Sequence, residues 1–356
     1  CQSMSQALKL QIPLALLFKA KTISAVLAQH GNVARRRIPK REQAHAPLSF
    51  SQQRLWFVHE YEQGTNAFNI PLLLRLTQCN ITHLEAALMA VVQRHEVLRS
   101  IVKRVNDEQV QVVMPESHFV LEQVKLSPDG FESRVHQDIN YIFDLERDLP
   151  VRSVCYAVEG QAEKSTYLLI NFHHIAFDGW STGRFFQELL TCYELAKQQK
   201  SITLDALPIQ YGDFADWQRQ FLDSAEFQQQ RDYWSDKLSG YETLRLPTKG
   251  SRPAKFQYQG DNLVIALDSD LSHQLTTLAQ QQGCSLFSIM LTVFNVLLSK
   301  YSGQSDIIVG TPMANRHHPD VLELIGLFVN TVPLRTHVDG SASFLALLAQ
   351  VTKTLE

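Results

Sequence analysis

The stretch that most constrains the fold is the apolar, β-rich run from Thr166 to Phe172. It leads into His173-His174-Ile175-Ala176-Phe177-Asp178-Gly179, and Phe185, Phe186, Leu189, Leu190 and Tyr193 follow at helical spacing. A continuous apolar run reads as a buried strand and the stripe after it as the core face of a helix, so the histidine motif between them sits on a strand-to-helix turn. Side chains alternate faces along a strand. Adjacent His173 and His174 therefore point in opposite directions, one toward the core and one toward a cleft, which disfavours a shared metal. Asp178, followed by Gly179, can turn back beneath the histidines or reach an arginine elsewhere. A hydrogen-bonded core pair would leave the same spacing, so spacing alone leaves structural and catalytic readings open. A serine hydrolase is not indicated, because no Gly-x-Ser-x-Gly supplies an activated serine at a strained turn.

The rest of the chain supplies enough apolar material for two or three folding units, with 356 residues of which 45% are hydrophobic. Leu84, Leu88, Val91 and Val92 share a helical face over 82–95, and the alternating stretches 97–102 and 109–114 predict strands. A second α/β unit begins near residue 255. It has a strand-like Leu263-Val264-Ile265, a helix over 285–300 and an apolar run from Asp306 to Gly310, with Gly310-Thr311-Pro312 as a turn out of that strand. The irregular alternation of strands and helices points to an α/β sandwich. Residues 4–28 carry short helical patterns broken at Ile12-Pro13-Leu14, with Thr22 as a candidate N-cap, and are too few to form a core of their own. Residues 31–46 are polar and basic (Arg35-Arg36-Arg37, Lys40, Arg41) and read as a solvated linker.

A formal net charge of -3 and the lack of an extended basic face argue against nucleic acid as a partner. No apolar run reaches the ~20 residues needed to span a bilayer. The five cysteines, Cys1, Cys79, Cys155, Cys192 and Cys284, show no paired spacing, which suits free thiols, no metal cluster and a cytoplasmic location. A start at Cys1 and an end at Glu356 inside a helical pattern read as a fragment of a longer chain.

His173-His174-x-x-x-Asp178-Gly179-Trp180-Ser181 resembles the signature of nonribosomal peptide synthetase condensation domains. Four other stretches are similar to that family's motifs in the same order: Ser49-Phe50-Ser51-Gln52-Gln53-Arg54-Leu55-Trp56-Phe57, Arg94-His95-Glu96-Val97-Leu98-Arg99, Tyr211-Gly212-Asp213-Phe214-Ala215-Asp216-Trp217-Gln218 and Ile325-Gly326-Leu327-Phe328-Val329-Asn330-Thr331. The resemblance covers about 47–356 and implies an α/β fold of two chloramphenicol-acetyltransferase-like sandwich subdomains in a V-shaped pseudo-dimer, 47–225 and 226–356, the second incomplete at its C-terminus. Residues 1–30 resemble the last helices of a peptidyl carrier domain, whose phosphopantetheine serine would lie upstream of Cys1.

The resemblance also implies the chemistry. A donor acyl or peptidyl thioester on an upstream carrier and an aminoacyl thioester on a downstream carrier meet at the histidine motif, and an amide forms on the downstream carrier. The domain itself then binds no cofactor and no metal; its substrates arrive tethered as 4'-phosphopantetheine thioesters. Partners would be the two carriers and an adjacent adenylation domain, within a monomeric part of a multimodular chain.

By motif matching, His174 handles or orients the acceptor amine, an imidazole of unperturbed pKa ~6.5 being able to move protons near neutrality. His173 shapes the loop. Asp178 holds it, with Arg99 as the expected partner in a bidentate pair. The Gly179 N–H is a candidate for the developing oxyanion. Arg94, Trp180 and Ser181 are assigned to support of the site, while a second pair, His317-His318, lacks a following Asp-Gly and reads as an exposed loop. The alternatives are an epimerisation domain, a dual epimerising and condensing domain, a coenzyme-A-dependent acyltransferase and a non-catalytic carrier-binding module. Trp180-Ser181-Thr182-Gly183 and the Ser-Gln-Gln-Arg-Leu-Trp-Phe opening favour condensation over epimerisation, and direct succession to a carrier favours an L-configured donor.

Overall fold

The computed structural model describes residues 37–62, 64–158, 165–222, 224–248, 250 and 260–355. The helical patterns expected within residues 4–28 lie outside them. The chain divides into two compact units, one holding residues 34–227 and 314–330, the other 228–313 and 331–356.

In the larger unit the elements are β1 (Ala46–Pro47), α1 (Phe50–Tyr61), β2 (Asn69–Leu76), α2 (Ile81–Arg94), β3 (Ser100–Val105), β4 (Glu108–Val113), β5 (Leu121–Leu126), α3 (Pro128–Ile139), β6 (Val151–Val158), β7 (Ser165–His173), α4 (Gly179–Lys197) and α5 (Tyr211–Phe221). The helix α6 (Ala225–Lys237) runs across the boundary. Strand β7 is central in a sheet ordered β2-β7-β6-β5, antiparallel to both neighbours, while β6 and β5 run parallel. Period-two alternation sends Leu168, Ile170 and Phe172 into the main core with α2 and α4, and Leu169 into a second cluster with Val135 of α3 and Val154 and Tyr156 of β6. Burial on both faces is why this strand reads as an unbroken apolar run. Helix α2 buries Leu84, Leu88, Val91 and Val92, as its periodicity requires.

Three local expectations change. The strand expected from residue 97 begins at Ser100, because Glu96–Arg99 forms a 3₁₀ turn closed by Leu98 N–H to His95 carbonyl at 3.0 Å. Val97 and Leu98 are both buried, a pattern that no half-buried strand produces. Leu190, placed on the core stripe of α4, is exposed; Cys192 is buried in its stead. Arg41 is not a solvated linker residue: its guanidinium lies between Glu96 at 2.9 Å and Asp213 at 3.1 Å.

The smaller unit contains α7 (Ser269–Gln282), α8 (Leu286–Ser302), β8 (Asp306–Met313), β9 (Asn330–His337, from Thr331 on) and α9 (Phe344–Leu355). Leu298, Ile307, Val338 and Leu347 form one cluster, and Leu291, Leu334 and Val351 another. Leu263-Val264-Ile265 forms no strand and is exposed. Strand β8 does not turn at Gly310-Thr311-Pro312 but continues to Met313; among the described residues it pairs with β9 alone, and proline is tolerated in an edge strand. The described cysteines Cys79, Cys155, Cys192 and Cys284 are free thiols. Among the described residues no single helix is long and apolar enough to cross a membrane.

Candidate active site

The histidine pair straddles the end of β7. His173 is its last residue, fully buried, and its backbone N–H donates to Pro150 carbonyl at 2.9 Å. His174 opens a 3₁₀ turn over His174–Ala176, is only half-buried, and donates its backbone N–H to Phe68 carbonyl at 2.8 Å. The two rings thus face different surroundings, His173 as the last strand residue and His174 as the first of the turn.

Each ring has its tautomer set by a backbone group. His173 caps the turn: its Nδ1 accepts the Ile175 N–H at 3.1 Å, so a neutral ring carries its proton on Nε2. Burial, with His59 and His174 nearby, pushes its pKa down to about 3, which keeps the ring neutral. His174 is the reverse. Its Nδ1 lies 2.6 Å from the Phe177 carbonyl, which can only accept, so Nδ1 bears the proton and Nε2 presents a lone pair. Phe177 is held in turn by its own side chain, fully buried and stacked on Phe172 with ring centroids 3.8 Å apart.

Asp178 caps α4 and is buried. Its Oδ1 accepts from Ser181 N–H at 2.9 Å, Ser181 Oγ at 2.7 Å and Arg316 Nη2 at 3.2 Å, and its Oδ2 accepts from Phe328 N–H at 3.0 Å. Three donors gather on one carboxylate oxygen and a fourth meets the other, which suits Asp178 for holding the loop. The partner expected for it, Arg99, is elsewhere: Arg99 Nη1 donates to Met114 carbonyl at 2.7 Å and belongs to the β3–β4 end. The arginine that meets Asp178 is Arg316, which also donates to the Val321 and Leu324 carbonyls at 2.8 and 2.6 Å. Sequence spacing offered no way to find it, since 138 residues separate the pair.

Ser181 is fully buried, its hydroxyl receiving Gly326 N–H and Arg316 Nη2, each at 3.1 Å. Gly326 has a steric reason: an added Cβ would lie 2.1 Å from Tyr211 Cδ2. The Tyr211 hydroxyl donates to Leu327 carbonyl at 2.6 Å and contacts Ser49 Oγ at 2.8 Å. Gln52, from the first motif, donates to the Ile175 carbonyl at 3.1 Å. Of the four motifs besides the histidine motif itself, three thus converge on the turn, two directly and the Tyr211 stretch through Gly326-Leu327.

The remaining motif, Arg94 to Arg99, braces α4 from behind. Arg94 Nε and His95 Nε2 meet the Glu188 carboxylate at 3.2 and 2.8 Å, joined by Arg184 at 2.8 Å. Burial lowers the His95 pKa. It also pushes Glu188 upward, but the hydrogen bond from His95 and the charges of Arg94 and Arg184 outweigh it and hold that carboxylate low. Trp180 is 40% exposed, with the Arg316 guanidinium 5.9 Å from its ring. Gly179 is exposed, and a Cβ there would meet nothing within 4 Å, so the glycine is not demanded by packing. His318 departs from the expected exposed loop: it is buried and packs against Trp217, with His317 exposed beside it.

Residues 42–356 match the Condensation domain family. The chain belongs to this family. Condensation domains are acyltransferase-type enzymes of nonribosomal peptide synthesis, and the relatives are synthetases of that kind. A linear gramicidin synthase of Brevibacillus parabrevis is 36% identical over 99% of the chain, and bacitracin synthase 3 of Bacillus licheniformis 31% over 98%. The chain spans only 7% and 5% of the length of these two proteins. Among solved structures, the X-domain from teicoplanin biosynthesis matches with a TM-score of 0.80 at 25% identity, covering 89% of this chain and 70% of that one. The epimerization domain from the third module of tyrocidine synthetase B has a TM-score of 0.75 at 18% identity, covering 87% of this chain and 73% of that one, which establishes shared fold alone.

Proposed function

We propose that this condensation domain joins a donor acyl or peptidyl group, delivered as a thioester on an upstream carrier, to the amine of an aminoacyl thioester on a downstream carrier. The acceptor nitrogen attacks the thioester carbon, a C–N bond forms, the C–S bond breaks, and the amine's proton leaves as the carrier thiol is restored. The observation that carries this reading is the tautomer lock on His174. With Nδ1–H committed to the Phe177 carbonyl, Nε2 is the acceptor that can orient an N–H of the amine and take its proton once attack has made it acidic.

In this reading His173 shapes the turn, Asp178 fixes it through Arg316 and Ser181, and the Gly179 N–H stabilises the developing oxyanion. The first N–H groups of a helix have no intrahelical partner, which supports that role. Arg94 steadies α4 through Glu188, Trp180 lies beside the site, and Arg99 holds the β3–β4 end. Residues 1–30 are assigned to a carrier domain, 31–46 to a linker, and 47–225 and 226–356 to the two subdomains. The substrates arrive on phosphopantetheine arms, an adenylation domain adjoins, the donor is L-configured, and the protein works as a monomeric, cytoplasmic part of a larger synthetase.

A second reading is favoured by one observation, the likeness to the X-domain of teicoplanin biosynthesis, whose structure is also known as a complex with OxyB. Under it the chain recruits a protein and forms no bond. The test incubates the chain with donor-loaded and acceptor-loaded carriers and follows intact masses. Amide on the downstream carrier that vanishes in His174→Ala supports condensation; carrier binding without transfer in the wild type supports the recruiting module, and an inverted donor without transfer supports epimerisation. Transfer unchanged in His174→Ala removes the proposed mechanism.

A further inference from the structure

Strand β4 carries a glutamine at the one position it buries. Among Glu108–Val113 only Gln111 is buried, where an apolar residue would pack without the cost of desolvating an amide. A polar group in such a place is held by hydrogen bonds, and the Gln111 amide makes two. Its Nε2 donates to the Pro47 carbonyl at 2.8 Å, and its Oε1 accepts from Gln52 Nε2 at 3.2 Å. Gln52, buried in the first turn of α1, uses its own amide in full. Its Oε1 accepts the Ser49 N–H at 3.0 Å, and the Nε2 that meets Gln111 also donates to the Ile175 carbonyl at 3.1 Å. Backbone groups of fixed polarity set both amides. A carbonyl only accepts and an N–H only donates, so turning either side chain over would set donor against donor or acceptor against acceptor.

We infer that Gln111 is a positioning residue of the histidine turn: by taking one hydrogen of Gln52 Nε2 it aims the other at the Ile175 carbonyl. Ile175 is the middle residue of the 3₁₀ turn that presents His174, and side chains hold both of its backbone polar groups, His173 the N–H and Gln52 the carbonyl. Two residues on, the Phe177 carbonyl fixes the His174 tautomer, so a shift of the Ile175 peptide is passed to that bond. Gln111 lies in none of the five motifs and reaches the turn through Gln52 alone, with its own far end tied to β1 at Pro47. The consequence for turnover rests on the proposed condensation activity; the effect on the turn does not.

The experiment uses the full chain labelled with 15N-histidine and side-chain 15N-glutamine. In the wild type both Gln52 Nε2 protons should exchange slowly with solvent. Gln111→Leu, which fills the space without an acceptor, should shift the His174 Nδ1–H resonance and lower kcat for amide formation about tenfold through misalignment, with KM for both carriers unchanged. Gln111→Glu keeps an oxygen for Gln52 Nε2 but loses the donor to Pro47. It should restore the His174 resonance and kcat while unfolding in urea as readily as Gln111→Leu. A folded Gln111→Leu with the wild-type His174 resonance and kcat overturns the inference, and so does a Gln111→Glu as impaired in kcat as Gln111→Leu, since lost stability would then account for both. Gln52 amide protons that exchange freely in the wild type also overturn it, which decides the matter even if Gln111→Leu does not fold. A His174 resonance that moves in Gln111→Leu, in a chain that makes no amide, would support this inference and count against the proposed function.

Discussion

The chain contains two adjacent histidine pairs, His173-His174 and His317-His318, and both use the same backbone device. In each, a buried histidine caps a 3₁₀ turn by accepting the N–H two residues on, Ile175 to His173 at 3.1 Å and Asp320 to His318 at 3.2 Å. The difference is order. In the first pair the cap is the leading residue, so the second histidine lies inside the turn and is displayed half-buried. In the second pair the cap is the trailing residue, Pro319 follows it, and His317 is left outside on the surface. The same two letters therefore make a presented imidazole in one place and a structural cap in the other. The pairs are also joined, because Arg316, immediately before the second, bonds Asp178, just after the first.

The sharpest way to break this contrast is to remove one histidine from each pair. His174→Ala should lower amide formation by about 10²–10⁴, the usual worth of a positioned acid–base group. His317→Ala, at an exposed position, should change stability by no more than about 0.5 kcal/mol. Equal losses of transfer from the two variants in the carrier assay would erase the distinction.

The link between the pairs comes next in size. Arg316→Ala leaves the Asp178 carboxylate buried without its cation, which should destabilise the larger unit by about 3–5 kcal/mol in urea unfolding. Asp178→Asn in the Arg316→Ala background should recover part of the loss, because the orphaned charge is gone. Additive effects of the two changes would mean that the pair does not couple.

How much of this was legible beforehand divides along the same line. The strand, the turn and α4 could be read from the Thr166 to Phe172 run and the stripe after it, because burial on both faces leaves an unbroken apolar signal. Strand alternation predicts that His173 and His174 face apart; they do, but because the strand ends at His173 and His174 opens the 3₁₀ turn. Arg316 could not be found, since a buried ion pair between distant segments leaves no periodic trace, and the nearer Arg99 in a matched motif drew the assignment away. His318 was missed for a related reason: capping depends on backbone dihedrals two residues on. The Phe177 carbonyl's hold on His174 was not legible either, because a backbone acceptor leaves no mark in the sequence.

Titration sharpens the contrast further. His173 has a folded-state pKa of about 3, below the ~6.5 of an unfolded chain. The unfolded chain therefore binds a proton that the folded one refuses. The stability this contributes is full above pH ~6.5 and is lost as pH falls from there toward 3, at about 1.4 kcal/mol per pH unit. His173→Asn keeps an acceptor for the Ile175 N–H and removes the titration, so its stability curve between pH ~6 and ~4 should be flatter by about that slope. A slope unchanged from wild type would show that His173 is not the group resisting protonation.

The smallest expected effect tests whether the second cap serves the first pair. His318→Ala should cost about 1 kcal/mol, as loss of a side-chain cap does. The turn it caps supplies the Val321 carbonyl to Arg316 Nη1 at 2.8 Å, and Arg316 in turn holds Asp178. His318→Ala should therefore be less damaging in an Arg316→Ala background than in the wild type, and His318→Asn, which can still cap, should behave like the parent. Full additivity in the double variant would confine His318 to its own turn, and the two pairs would then be linked through Arg316 alone.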